Sequence, residues 1–179
     1  RLNQVIGNLL SMSRIEAGAL QLQKREYGLP EVMDSVLRRL APRTQMHKLK
    51  ADIPPGLPPV LLDYAAFEQI MTNLIDNAIK YSPRGSELSI SARQVGGFVE
   101  IGVSDQGRGI PPEAQSAVFD KFYRAANSGR TTGSGLGLSI VKGFVEAHGG
   151  QAWISSRPGE GTTVKFLLPL KVEPVPENG

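Results

Sequence analysis

Two pairs of short stretches, each alternating apolar and polar residues, constrain the fold of this chain more than any other sequence feature. The pairs are 86–94 with 98–105 across Gly96-Gly97, and 151–156 with 162–169 across Pro158-Gly159. Alternation with a period of two predicts half-buried strands, and the short turns predict that each pair forms a β-hairpin. Each hairpin therefore needs apolar cover on one face.

Helical patterns supply that cover. We predict helices from Leu29-Pro30 to about Leu40, from the N-cap Asp63 to about Tyr81, and from Leu136 to His148, with Gly149 ending the last. Residues 49–62 contain several prolines, and we therefore predict one short strand and an irregular turn there. The order of the elements lacks the strand–helix–strand alternation of a doubly wound sheet. It therefore predicts an antiparallel-rich sheet with helices on one face.

The N-terminal segment carries a separate helical pattern. Leu2, Val5, Leu9 and Met12 recur at spacings of three or four residues. This spacing predicts a helix with a coiled-coil-like apolar seam, which we expect to end between Gly18 and Lys24. Either a partner helix or the chain's own core could cover the seam.

Composition excludes several classes of function. The 20 Lys and Arg residues exceed the 17 Asp and Glu by three, they form no block, and 6% of residues are aromatic, which argues against nucleic-acid binding. The absence of cysteine excludes disulfides, thiolate metal sites and thiol nucleophiles. No apolar run reaches about 20 residues. The chain begins with Arg1, and we interpret it as a cytoplasmic piece of a longer protein that we expect to be membrane-anchored.

The helix predicted over 63–81 carries polar residues in register. Asn73 and Asn77 lie four positions apart and therefore on one side of the helix, with Lys80 one turn beyond. An amide oxygen suits Mg²⁺ that also binds substrate phosphates, and a lysine offers those phosphates a point charge. An ordinary solvated helix face explains the same three residues.

Three later segments also have two interpretations each. Asp105 at a strand end can accept a hydrogen bond from an adenine amine, or it can belong to a simple turn. In one interpretation of the segment 119–124, Phe119 and Phe122 pin a loop to the domain and Arg124 reaches a terminal phosphate. In the other, the segment is the end of a helix packed on the core. The glycines of 133–138 lead into a helix and expose backbone N–H groups to an anion, although the spacing is not that of a P-loop or a dinucleotide site.

Together these segments resemble the ordered N, G1, F and G2 boxes of sensor histidine kinases. The boxes read Asn73-x-x-x-Asn77 with Lys80-Tyr81, Asp105-x-Gly107-x-Gly109-Ile110-Pro111, Phe119-x-x-Phe122-Tyr123-Arg124, and Gly133-x-Gly135-Leu136-Gly137-Leu138. The resemblance covers about residues 1–170. Residues 9–22 and 67–82 also resemble the KdpD-type potassium-sensing kinases.

The resemblance implies a fold and a domain organisation. The fold is a two-layer α/β sandwich of a mixed, mostly antiparallel sheet with helices on one face, preceded by one coiled-coil-like helix. Residues 1–24 would be the second helix of the dimerisation and phosphoacceptor hairpin. Residues 25–170 would be the ATP-binding catalytic domain, followed by a flexible tail over 171–179.

It also implies the roles of single residues. Asn77 would bind Mg²⁺, with Asn73 supporting the phosphate and metal region, and Asp105 would read the adenine amine. Gly107 and Gly109 would give room to the base. The further ATP contacts would be Lys80, Tyr81, Ile110, Phe122, Arg124, Gly133, Ser134, Gly135, Leu136, Gly137, Leu138 and Thr162, with Asn77, Lys80 and Arg124 acting in catalysis.

The expected activity is transfer of the ATP γ-phosphoryl group to a histidine outside this chain, for relay to an aspartate of a response regulator. Neither His47 nor His148 is followed by the acidic residue of the family's acceptor, and we interpret His148 as a helix-terminal residue favoured by the dipole. Expected partners are a response-regulator receiver domain and, in the full-length protein, a second copy. We expect no nucleic acid and no membrane contact by this part.

Three other functions compete with this one. The parent protein could mainly dephosphorylate its partner, or the chain could bind no nucleotide at all. A related ATPase that hydrolyses ATP would need a water-activating acid four residues before the metal-binding asparagine. That position is Asn73, which favours transfer to a protein.

Overall fold

The computed structural model describes residues 2–123 and 134–171, the first four of these by backbone only. Its elements in chain order are α1 (Leu2–Glu16), β1 (Arg25–Tyr27), α2 (Leu29–Thr44), β2 (Lys48–Asp52), β3 (Val60–Leu62), α3 (Tyr64–Tyr81), β4 (Glu87–Val95), β5 (Phe98–Asp105), α4 (Pro112–Gln115), α5 (Gly137–Ala147), β6 (Ala152–Arg157) and β7 (Gly161–Pro169). The predictions for Arg1, Arg124, Gly133 and the tail over 172–179 lie outside the described residues.

Five strands form the main sheet in the order β2-β4-β5-β7-β6, in which only the β2–β4 pair is parallel. Both predicted hairpins are confirmed as β4–β5 and β6–β7. Gly96 and Gly159 turn them with φ of 57° and 81°, values that side chains disfavour. The mixed, mostly antiparallel sheet is therefore confirmed.

Helices α3 and α5 pack on this sheet, and their apolar faces form much of the core. The predicted apolar face of α3 is confirmed, since all six of its residues are buried: Phe67, Ile70, Met71, Leu74, Ile75 and Ala78. Burying a large apolar side chain stabilises the fold by about 1.5–3 kcal/mol. This face alone therefore holds α3 in one orientation, which decides where its polar residues point.

The N-terminus of α3 is held by two side chains. The Asp63 carboxylate accepts from the Ala66 backbone N–H at 3.0 Å, which confirms the predicted cap. His148 Nε2 accepts from the Asp63 N–H at 3.0 Å, while Nδ1 lies 2.7 Å from the Phe144 carbonyl and donates to it. Burial lowers the pKa of His148, which is 1% exposed. The predicted helix-terminal place of His148 is confirmed, since it caps the end of α5, but the dipole part of the interpretation was wrong, because it needs a charged ring and burial favours the neutral one.

This arrangement predicts a pH-dependent stability. Because the pKa of His148 is lower in the folded chain than its ordinary value of 6.5, the unfolded chain binds more protons just below that pH. The contribution of His148 to the free energy of unfolding should be complete above pH 6.5 and fall as the pH drops, by at most about 1.4 kcal/mol per pH unit. Urea unfolding between pH 5 and 7.5 measures this slope.

His148→Gln should lose that part of the slope. His47→Gln is the matched control, because it removes the other histidine and leaves His148 in place. An identical pH profile in the unaltered chain and in His148→Gln would contradict the prediction.

Several local predictions were wrong in extent. Helix α1 ends at Glu16, earlier than predicted, because Gly18 adopts a φ of 61° and the N–H groups of Gly18 and Ala19 bond the carbonyls of Ile15 and Arg14. Helix α2 continues past Leu40 to Thr44, with Pro42 in its last turn. None of the described helices is long and apolar enough to cross a membrane.

The two-stranded sheet of β1 and β3 was not predicted. Tyr27 pairs with Val60 and Arg25 with Leu62 in antiparallel register. Each strand has three residues, too few for an alternating pattern, and their partners are distant in the sequence. This sheet lies next to the main one, since Val60 also bridges Leu170.

Candidate functional site

A cleft of about 840 Å³ lies between α3, the end of β5, β7 and the start of α5. It brings together most of the predicted site residues, although the segment 119–124 contributes only Tyr123 to the described lining. Those that line it are Asn73, Asn77, Lys80, Tyr81, Asp105, Gly109, Ile110, Ser134, Gly135, Gly137, Leu138 and Thr162. The predicted segments thus form one site, although they are far apart in the sequence.

The α3 wall of the cleft includes two amides, those of Asn73 and Asn77. Asn73 is 4% exposed, so the alternative of an ordinary solvated face fails for it. Its Nδ2 is buried and has no hydrogen-bond partner in the described part of the chain. A buried donor without an acceptor costs about 1–3 kcal/mol, so this atom calls for an acceptor supplied from outside.

The start of α5 faces these amides. A Cβ placed on Gly137 would lie 3.6 Å from Asn73 Oδ1 and 3.7 Å from both Asn77 amide atoms. No described side chain caps the first turn of α5. Its backbone N–H groups and the positive end of the helix dipole therefore remain available to an anion beside Asn73 and Asn77.

Two residues of the glycine-rich and aromatic segments do not behave as predicted. Leu136 is 1% exposed and lies in the core rather than among the described lining residues, because it anchors the start of α5. Phe122 is 66% exposed and neither pins the loop nor lines the described cleft, whereas Phe119 packs against the core as predicted.

The backbone at Phe122 nevertheless borders the site. Its N–H donates to the Gly135 carbonyl at 3.0 Å, and Phe122 has a φ of 59°. A Cβ on Gly135, whose own φ is 71°, would come within 2.8 Å of the Phe122 backbone. The two segments on either side of residues 124–133 are therefore joined by backbone contacts.

Asp105 ends β5 and lines the same cleft. Its Oδ1 accepts from the Gly107 N–H at 2.8 Å, and the Thr162 N–H also bonds this carboxyl group. Burial raises the pKa of Asp105, and these two backbone hydrogen bonds oppose the rise. A carboxylate has about four acceptor positions, so capacity remains for a donor in the cleft.

The glycines after Asp105 pack closely on the chain itself. A Cβ on Gly107 would come within 2.7 Å of the Tyr81 carbonyl oxygen, and one on Gly109 within 1.9 Å of the Arg157 carbonyl. These contacts explain both glycines as parts of a tightly closed loop. Gly107 is not among the described lining residues, and the predicted role of the two glycines beside a base stays a prediction.

Two cationic side chains lie near the Tyr81 ring. Lys80 Nζ lies 4.7 Å and the Arg108 guanidinium carbon 5.8 Å from the ring centroid. Arg108 lines the cleft but was missed, although it stands between the two glycines that had been singled out. Its positive charge inside a segment expected to bind nucleotide could have indicated Arg108 as a site residue.

Other lining residues had no signal in the sequence. Arg43 of α2 bonds Asp76 at 2.6 Å, and Asn8 of α1 accepts from Gln69 at 3.3 Å. They reach the cleft because α2 packs on α3, and because α1 packs on α5 with Asn8 close enough to bond Gln69 of α3. Part of the apolar lining comes from two strands and from the turn after α4, through Val103, Val164 and Val118.

Comparison with known proteins agrees with this geometry. Residues 62–172 match the family model described as histidine kinase-, DNA gyrase B-, and HSP90-like ATPase. The histidine protein kinase DivJ of Caulobacter vibrioides is 37% identical over 174 residues, which are 96% of this chain and 29% of that protein. The sensor protein KdpD of Escherichia coli is 34% identical over 171 residues, 96% of this chain and 19% of that protein.

A solved structure is similar over almost the whole chain. Full-length ShkA in complex with AMPPNP superposes with a TM-score of 0.84 and 26% identity, over 98% of this chain and 37% of that one. The chain spans less than a third of the length of DivJ and of KdpD. Because DivJ and KdpD have similar identities, the KdpD-type subfamily stays a prediction.

Proposed function

Because this chain belongs to the family of histidine kinase-, DNA gyrase B- and HSP90-like ATPases, we propose that it is the ATP-binding catalytic part of a sensor histidine kinase. It binds ATP with Mg²⁺ and transfers the γ-phosphoryl group to a histidine of another segment or chain. The phosphoryl group then passes to an aspartate of a response regulator.

The observation that carries the proposal is the unpartnered amide of Asn73 beside the uncapped start of α5. A phosphate oxygen placed there would accept from Asn73 Nδ2 and from backbone N–H groups of the helix. The cleft is large enough for a nucleotide, and the Asp105 carboxylate also lines it. A ligand with phosphates at one end and an amine at the other therefore fits.

The residues also fit a magnesium ion held together with phosphates. Within residues 2–123 and 134–171 no group of three or more His, Asp or Glu side chains could hold a metal ion. Mg²⁺ commonly binds through few protein ligands while substrate phosphates and water complete its shell. We assign Asn77 as the protein ligand, and the bound ion would neutralise charge on the transferred phosphoryl group.

The neutral amide of Asn73 and the charged Lys80 favour transfer of the phosphoryl group to a protein over hydrolysis of ATP. Asn73 occupies the position where a related ATPase would need a water-activating acid, and an amide cannot take up the proton of water. Lys80 would bring positive charge to the phosphates. The roles of Arg124 and Gly133 lie outside the described residues and stay predictions.

Neither histidine of the chain offers a ring nitrogen that is both exposed and free of hydrogen bonds. Both ring nitrogens of His148 are hydrogen-bonded, and both of His47 are buried. The acceptor must therefore come from elsewhere. Apolar residues of α1 remain exposed, namely Ile6, Leu9 and Leu10, and we propose that they contact a second copy in the full-length protein, on the cytoplasmic side of a membrane.

Calorimetric titration with AMPPNP, a non-hydrolysable ATP analogue, tests the proposal. We expect the unaltered chain to bind AMPPNP more tightly with Mg²⁺ than without it. Asn77→Ala should weaken binding about tenfold in Mg²⁺ and much less in its absence, because it removes only the proposed ligand of the ion.

Gln94→Ala is the matched control, because it removes an exposed amide at the end of β4. Its binding should equal that of the unaltered chain in both conditions. Failure of the unaltered chain to bind AMPPNP, or an Asn77→Ala effect that is the same with and without Mg²⁺, would count against the proposed roles.

A further inference from the structure

A row of three polar side chains crosses the sheet at the Asp105 end of the cleft. Asp105 of β5 pairs with Thr162 of β7, which pairs in turn with Ser156 of β6. Residues directly opposite each other on paired strands point to the same face of the sheet. Asp105 and Thr162 line the cleft, whereas Ser156 stands behind Thr162 and is not among the described lining residues.

Ser156 has three hydrogen-bond partners for one hydroxyl group. Its Oγ accepts from the Ile110 N–H at 2.8 Å and donates to the Gly161 carbonyl at 2.8 Å. Its third contact is Thr162 Oγ1, also at 2.8 Å. A serine hydroxyl carries a single hydrogen, and a carbonyl oxygen can only accept.

Hydrogen counting settles which hydroxyl donates in the third contact. If Ser156 gave its hydrogen to Thr162, the Ser156 and Gly161 oxygens would face each other at 2.8 Å without a hydrogen between them. The hydrogen of Ser156 therefore goes to Gly161, and Thr162 donates its own hydrogen to Ser156. As a result Thr162 Oγ1 has only lone pairs to offer the cleft.

Contacts from Gln115 keep this arrangement of Ser156 in place. Gln115 Nε2 donates to the Ile110 carbonyl at 2.9 Å and to the Ser156 carbonyl at 2.8 Å. Ser156 is thus held through its side chain and its backbone by two segments that also shape the cleft. The hydroxyl of Ser156 cannot turn without breaking one of these contacts.

We propose that Ser156 is a positioning residue that sets the choice of purine base. By keeping Thr162 an acceptor beside the acceptor Asp105, it favours a 6-amino purine, which donates at this edge. A 6-oxo purine presents an acceptor oxygen at position 6 to these two acceptors, so the hydrogen bond made by the 6-amino group is lost, which is a strong source of discrimination in binding sites. This inference rests on the proposed nucleotide-binding function and adds a residue outside the cleft to it.

The test compares binding of AMPPNP with that of its inosine counterpart, which carries a 6-oxo group. The unaltered chain should prefer AMPPNP. Ser156→Ala should lower that preference about tenfold, because the Thr162 hydroxyl becomes free to turn and donate to the 6-oxo group. Ser156→Thr, which retains a hydroxyl at this position, should retain the preference.

A double-variant cycle distinguishes positioning from general loosening of the loop. In the Thr162→Val background, adding Ser156→Ala should leave the ratio of the two dissociation constants unchanged, even if both constants rise. Equal weakening of both ligands by Ser156→Ala, or a change of ratio that persists in the Thr162→Val background, would overturn the inference.

Two further outcomes keep the test decisive. If Ser156→Ala does not fold, Thr162→Val alone must still lower the preference, since it removes one of the two acceptors and leaves the contacts of Ser156 with Ile110 and Gly161. An unchanged preference in that variant overturns the inference, whereas the proposed function itself fails only if the unaltered chain binds neither ligand.

Discussion

Replacing Asp105 by alanine is expected to weaken AMPPNP binding about 100-fold. The carboxylate is the charged acceptor at its end of the cleft, and hydrogen bonds to charged groups contribute about 1.5–3 kcal/mol. The change also frees the Gly107 N–H, which bonds Oδ1 at 2.8 Å. The loss should appear in calorimetric titrations as a higher dissociation constant, both with and without Mg²⁺.

Asp105→Asn refines this prediction, because an amide keeps one acceptor oxygen at nearly the same place. We expect it to lose less affinity than Asp105→Ala. Asp52→Ala is the matched control, since Asp52 also ends a strand but is exposed and outside the described cleft. Equal binding by the unaltered chain and Asp105→Ala would remove the carboxylate from the recognition of the nucleotide.

Replacing Gly161 by alanine is expected to lower the free energy of unfolding by about 3 kcal/mol or more. Gly161 has a φ of 91°, which side chains disfavour, and a Cβ there would lie 2.0 Å from the Asp105 carbonyl oxygen. The backbone would have to move where β5 meets β7. Urea unfolding measures the loss, and AMPPNP affinity should fall with it because Asp105 and Thr162 are displaced.

Gly159→Ala in the same hairpin is the control for backbone strain alone. Gly159 has a similar φ of 81°, but apart from its neighbours in the chain no described atom lies within 4 Å of its Cβ position. We expect it to cost about 1 kcal/mol and to leave AMPPNP binding unchanged. If the two variants lose equal stability, the close approach to Asp105 contributes nothing.

Features that depend on neighbouring residues could be predicted from the sequence. The apolar face of α3, its Asp63 cap and the two hairpins follow from short-range spacing and turn residues, and the structure confirms each of them. The order of the glycine and asparagine segments also indicated one nucleotide site, and the cleft brings most of them together.

Features that depend on residues distant in the sequence could not be predicted from the sequence. The β1–β3 pairing, the burial of Leu136 and the exposure of Phe122 follow from how separate segments pack, and no local spacing encodes them. His148 illustrates the same limit. Its place at a helix end indicated a charged ring, whereas its hydrogen bond from Asp63 and its burial keep the ring neutral.

The sequence by itself therefore determined the elements and the chemical types of the site residues, because spacing and turn chemistry act over a few positions. Only the tertiary structure decided how those residues work together. Whether the Thr162 hydroxyl donates or accepts depends on Ser156, whose Oγ lies 2.8 Å from Thr162 Oγ1, from the Gly161 carbonyl oxygen and from the Ile110 backbone nitrogen. Hydrogen-bond direction is a property of such an arrangement, since one proton can serve only one of several acceptors.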